Sequence, residues 1–181
     1  GALLADLGAD VIKIEKPGEG DPFRASPDGS LYDPNFLAFN RNKVEINNAS
    51  LTAAAGHVSL VVRGAESLIS ASNTAVQAGT GVHVTSMGPK GEVKISNGSI
   101  AAGGSILLEG ASANFDGTLL VDKVQISSGS DVRMLTGFRG KTMVFGNRID
   151  AAGPVQAATR TWGVCEANNN QVTAPLAQLC L

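Results

Sequence analysis

Aromatic side chains are scarce in this chain: six Phe, one Tyr and one Trp, 4% of 181 residues. Aromatic side chains dominate the buried area of many compact cores. Their scarcity favours a fold of thin, repeated layers of Val, Ile and Leu. An excess of one charge is missing too. The net charge is −2, which gives no electrostatic case for nucleic acid or for an anionic membrane surface. No apolar run approaches the roughly 20 residues that cross a bilayer, so no membrane span is expected. Neither an initiator Met nor a basic-then-apolar leader stands at Gly1, and the chain is expected to be a fragment or a processed product. Histidine and cysteine number two each. His57 and His83 are isolated from any Cys or carboxylate at ligand spacing, and no metal site is expected. Cys165 and Cys180 stand together near the C-terminus. Their spacing fits a disulfide formed in an oxidising compartment, and it fits two unpaired thiols equally.

What the sequence does contain changes abruptly near Lys43. Ahead of it lie Phe23, Tyr32, Phe36 and Phe39, together with Pro17, Pro22, Pro27 and Pro34. Leu3, Leu4 and Leu7 make a helical stripe that Gly8 ends. Val11–Glu15 reads as a strand, and the Pro17–Pro22 run forces a turn at its carboxyl end. In open α/β sheets ligands gather at such strand ends. The plain alternative is a generic αβ unit.

The residues themselves go further. Leu4-Ala5-Asp6-Leu7-Gly8-Ala9-Asp10-Val11-Ile12-Lys13-Ile14-Glu15-Lys16-Pro17-Gly18 is followed by Gly20-Asp21-Pro22-Phe23-Arg24 and by Phe36-Leu37-Ala38-Phe39-Asn40-Arg41-Asn42-Lys43. This order and spacing resembles the N-terminal part of the family III (CaiB/BaiF) CoA-transferases. The resemblance implies a Rossmann-like fragment from interlocked dimers that move CoA between carboxylic acids through acyl-aspartyl chemistry. It also implies that the basic position after the strand, Lys16, approaches the nucleotide end of CoA; a solvated surface lysine is the plainer reading. Asp6, Asp10, Asp21, Asp28 and Asp33 do not match the nucleophilic aspartate, which in the family lies beyond the Asn-Arg-Asn-Lys motif. No catalytic residue and no resident cofactor is therefore expected, with CoA a substrate only if the transferase reading holds.

From Val44 the chain repeats itself. Val44-Glu45-Ile46-Asn47-Asn48-Ala49-Ser50-Leu51 is echoed 49 residues later by Val93-Lys94-Ile95-Ser96-Asn97-Gly98-Ser99-Ile100. A third copy is expected from Val124-Gln125-Ile126. Further alternating runs fall at Val58–Val62, Val82–Val84, Ile106–Leu108 and Leu119–Val121. Alternation sends Val44, Ile46, Val93, Ile95, Val124 and Ile126 to one face. The expected unit is a strand, an Asn/Ser-Gly corner, a short strand and a Gly-rich corner, with two coils per repeat. Such a unit buries its apolar face only by stacking on a neighbour, so files of Val, Ile and Leu and corner ladders of Asn or Ser are expected. The fold class is mostly β, a right-handed parallel β-helix preceded by a short α/β fragment, with an antiparallel sandwich as the alternative.

Residues 44–150 resemble the β-helical repeats of filamentous haemagglutinin-like two-partner-secretion exoproteins. Domains are expected at 1–43, 44–150 and 151–181, the last a cap or tail. Asp116, Asp122, Asp131 and Asp150 fall in no register that pairs them for acid–base work. Two functions follow. One is a non-enzymatic, secreted or cell-surface adhesin-like β-helix that meets a host or cell-surface receptor or a carbohydrate and carries a fused or misjoined front piece. The other is a cytoplasmic CoA-transferase remnant, inactive because the catalytic Asp region is missing.

Overall fold

The computed structural model describes residues 43–111 and 114–180. The helix, strand and turn expected ahead of Lys43, and Lys16 with them, lie outside the described residues. Every regular element that is described is a strand.

Eighteen strands follow one another in six coils of three. The first coil holds β1 (Lys43–Asn47), β2 (Ser50–Ala53) and β3 (Val58–Val62); the second holds β4 (Leu68–Ser72), β5 (Ala75–Ala78) and β6 (Val82–Ser86). β7 (Gly91–Ser96), β8 (Ser99–Ala102) and β9 (Ile106–Gly110) form the third, and β10 (Gly117–Asp122), β11 (Gln125–Ser128) and β12 (Val132–Thr136) the fourth. The fifth is β13 (Lys141–Phe145), β14 (Arg148–Ala151) and β15 (Val155–Thr159), and the sixth β16 (Val164–Asn168), β17 (Gln171–Thr173) and β18 (Ala177–Leu179). Corresponding strands pair in parallel across coils, which builds three six-stranded sheets. The described residues form a three-sided parallel β-solenoid.

Stacking places like residues above like. In the first sheet Val44, Ile69, Val93 and Leu119 are consecutive partners. In the second, Leu51, Val76, Ile100, Ile126, Ile149 and Val172 form an unbroken file. In the third, Leu60, Val84, Leu108, Met134, Ala157 and Leu179 do the same. These files are the core, and its buried hydrophobic residues are all aliphatic. Each fully buried Ile or Leu stabilises the fold by about 1.5–3 kcal/mol. The narrow interior between three sheets has no use for large rings, which accounts for their scarcity in this part of the sequence. Val44 and Ile46 stay half-buried, since the described coil on which they lie has a described neighbour on one side only.

The structure refines two expectations about the repeat. Val44 and Val93 stand two coils apart through Ile69, as their spacing implies. The copy at Val124 does not continue that file. Val121, not Ile126, stacks on Ile95, while Ile126 stacks on Ile100 in the second sheet. The same words are slid one strand along the coil, because alternation is alike on all three sides. The unit also has a third strand, formed by the runs at Val58, Val82 and Ile106 that sit between the obvious copies.

Corners differ in chemistry. The first, between the first and second sheets, places Asn48, Asn73, Asn97, Lys123, Gly146 and Asn169 at positive φ, a conformation in which Asn and Gly are favoured. Next to it, Asn147 is buried and accepts from the Val124 amide at 2.8 Å through Oδ1. It donates through Nδ2 to the Val121 carbonyl at 2.9 Å and to Asn170 Oδ1 at 3.0 Å. Asn170 in turn donates to the Val144 carbonyl at 2.7 Å. This is a two-rung Asn ladder of the expected kind.

Candidate functional site

The solenoid presents its described charged side chains outward, and one concavity lies on the second sheet. Ser99 and Ala101 from β8, Gln125 and Ser127 from β11, and Arg148 and Asp150 from β14 line an open depression of about 370 Å³. Their spacing follows from period-two alternation: Ile100, Ile126 and Ile149 between them point into the core. Arg148 Nε donates to Asp150 Oδ2 at 3.2 Å. A second depression, about 290 Å³, is lined by Ser130, Asp131, Arg133, Pro154 and Gln156 on the third side. Both are shallow, with small hydroxyl, amide and ion-pair groups. They can hydrogen-bond a partner laid along the surface, and they do not enclose a reacting atom.

The solenoid aspartates are spread over the surface. Asp131 meets Arg133 at 2.8 Å, Asp150 meets Arg148, and Asp122 lies 4.0 Å from Lys123. Asp116 Oδ1 accepts from the Lys90 amide at 3.4 Å. Asp122 is paired in its sheet with Ser96 and Phe145, and Asp150 with Ser127 and Thr173. His57 is exposed at a corner and His83 is exposed on β6. Among the described residues no three His, Cys, Asp or Glu side chains gather as metal ligands. Cys165 and Cys180 are joined as a disulfide with Cα atoms 5.0 Å apart, linking β16 to the residue after β18. Lys16 lies outside the described residues.

One group was not visible from sequence alone. Glu109, on the outer face of β9, is half-buried, and that burial raises its carboxyl above the ordinary glutamate value, while Arg160 and His83 pull it down. His83 is the ladder partner of Leu107, two residues before Glu109. Only the coil period, which the 49-residue echo halves to about one coil, brings these residues near one another in sequence terms.

The sequence profile of CoA-transferase family III matches residues 1–97, which runs from the front segment through β7. The succinyl-CoA:mesaconate CoA-transferase of Haloarcula marismortui is 41% identical over 69 residues, covering 34% of this chain and 17% of that protein. The succinyl-CoA:glutarate CoA-transferase of Mus musculus is 49% identical over 45 residues, covering 24% of this chain and 10% of that protein. The matched stretch thus spans under a fifth of the length of either relative. No solved structure matches the chain. With the family profile matched over residues 1–97, more than half of its 181 residues, the chain belongs to CoA-transferase family III.

Proposed function

We propose that this polypeptide works through the outer surface of its solenoid, as a non-enzymatic, adhesin-like segment of a secreted or surface-exposed protein, with the family III segment carried at its front. The observation that carries this reading is the distribution of side chains. Val, Ile and Leu on the inner faces of the strands fill the core files, and the described ion pairs stand apart from one another and face solvent. Acyl transfer through a carboxylate nucleophile needs an oriented thioester in a closed, water-excluding site. A long flat surface instead suits a receptor or a carbohydrate laid across several coils. The disulfide fits an oxidising compartment.

A second reading has its own observation, the family profile over residues 1–97. On that reading the chain is a cytoplasmic remnant of an enzyme moving CoA between carboxylic acids, and Lys16 meets the nucleotide end of CoA. One experiment separates them. The purified chain is tested for retention of CoA by equilibrium dialysis and, in parallel, for binding to intact cells. The first reading expects cell binding without CoA retention. Retention of CoA, lowered by Lys16→Ala, without cell binding would replace it with the second, which expects no CoA exchange because the catalytic Asp region is missing.

A further inference from the structure

The third corner, which leads from the third sheet back to the first, is unlike the other two. The first corner is built largely from Asn, and the second from Gly, Ala and Ser. At the third, Met87, Phe115, Phe138 and Trp162 are 40%, 39%, 38% and 80% exposed on successive coils. Val61 and Val164 flank the same corner and are also exposed. Of the large exposed hydrophobic residues described, only Leu176 lies elsewhere. Coils stack about 4.8 Å apart, so the four side chains are spread over about 15 Å of this corner, at different positions along it: the Arg139 amide donates to the Thr161 carbonyl, which sets Trp162 beside Arg139 and not beside Phe138.

Cations share this edge. Arg63, Lys90, Arg139 and Arg160 are all exposed on it. Lys90 meets Glu66 at 3.5 Å, whereas Arg63, Arg139 and Arg160 enter no ion pair among the described residues. The Arg139 guanidinium lies 5.1 Å from the Phe138 ring centroid. Trp162 adopts φ +68°, as Glu66, Lys90 and Arg139 adopt +55°, +53° and +55° in the same corner of other coils, so this turn holds the ring outward where it is 80% exposed. Glu66 and Asp116 share the edge, so the whole-chain charge of −2 conceals an apolar edge on which four cations outnumber two carboxylates.

We propose that this edge docks on an anionic lipid surface, with Trp162, Phe138, Phe115 and Met87 entering the headgroup layer and Arg139 and Arg160 pairing with lipid phosphates. A convex edge tipped with Trp and Phe and flanked by Arg has the chemistry of an interfacial anchor, and net positive charge on the edge complements the acidic headgroups. The proposal rests on the surface-acting reading above and names the partner of one face.

Trp162 is the sole tryptophan, so its emission reports this edge directly. The full chain is titrated with vesicles of phosphatidylcholine alone or mixed with phosphatidylglycerol, following both emission and co-sedimentation. A blue shift with co-sedimentation is expected only with the anionic vesicles, and it should fade at high salt. The double variant Arg139→Gln, Arg160→Gln should bind them about thirtyfold less tightly, with an unchanged circular dichroism spectrum. Trp162→Ser should weaken co-sedimentation as well. An unshifted emission with the protein left in the supernatant at low salt overturns the proposal. So does a shift produced by an acidic polysaccharide such as alginate and not by vesicles. Cell binding that persists without vesicle binding would sink this inference alone; vesicle binding without cell binding would sink the adhesin-like reading and leave the lipid contact standing.

Discussion

Gly103 sits where the second corner of one coil crosses the corner of the coil before it. A Cβ there would overlap the Gly79 carbonyl oxygen, and one on Gly129 would overlap that of Gly103. Gly in this file is a matter of space between stacked backbones. Gly103→Ala is expected to cost about 1–3 kcal/mol, the range for forced overpacking, read as a lowered midpoint in urea; an unchanged midpoint would mean that the coils do not approach so closely. Glu109 makes a pH-dependent contribution. Its carboxyl is raised in the folded state by burial, so the fold holds that proton more tightly than the unfolded chain does. The associated stability is complete below the ordinary glutamate value of about 4.3 and is lost as pH climbs through the raised folded value. Glu109→Gln should flatten the stability curve across that window, and a curve that still falls there would assign the loss to another group. At this scale the sequence was legible where alternation decides: Val93, Ile95 and Ile126 are buried as read. It was silent on Glu109, whose environment is made by neighbours one and two coils away.

Strands and corners carry a second layer of information. Every coil-to-coil step keeps parallel register while the step varies from 22 residues (Ala157 to Leu179) to 26 (Glu92 to Thr118). Corners absorb that variation, so the copy at Val124 could look like a first-sheet strand and belong to the second. Periodicity gives the face of a residue; only the summed corner lengths give its side. The sixth coil has the 15-residue Cys165–Cys180 link. Closing a loop of that length stabilises by about 3 kcal/mol on a chain-entropy estimate. Reduction should therefore speed amide hydrogen exchange in β16–β18 and leave β7–β12 protected. Equal acceleration in all six coils would show instead that the solenoid opens as one unit.

At the scale of the whole solenoid, a narrow core of Val, Ile, Leu, Ala and Met and three long outer faces follow from one arrangement. Stacking consumes the Val, Ile and Leu files, so recognition is left to whatever the outer files and corners present. That division was partly visible beforehand: a solenoid was legible from the 49-residue echo, while the apolar and basic edge was not. Met87, Phe115, Phe138 and Trp162 are separated by 23 to 28 residues and share no motif, and only the coil period brings them to one corner. The family III segment and the solenoid are read from different signals, an ordered motif in one case and periodicity in the other, and a profile match through residue 97 overlaps both.

The register itself is the claim on which the rest depends, and paired cysteines test it most directly. In a Cys165→Ser, Cys180→Ser background, Ser99→Cys with Gln125→Cys places thiols on adjacent coils of the second sheet, where these residues are ladder partners. Ser99→Cys with Arg148→Cys places them two coils apart, about 9.6 Å by strand spacing, beyond the roughly 7 Å Cα limit for a disulfide. Mild oxidation should cross-link the first pair within the monomer and leave the second as free thiols. Cross-linking of the second pair in preference to the first would contradict the parallel solenoid.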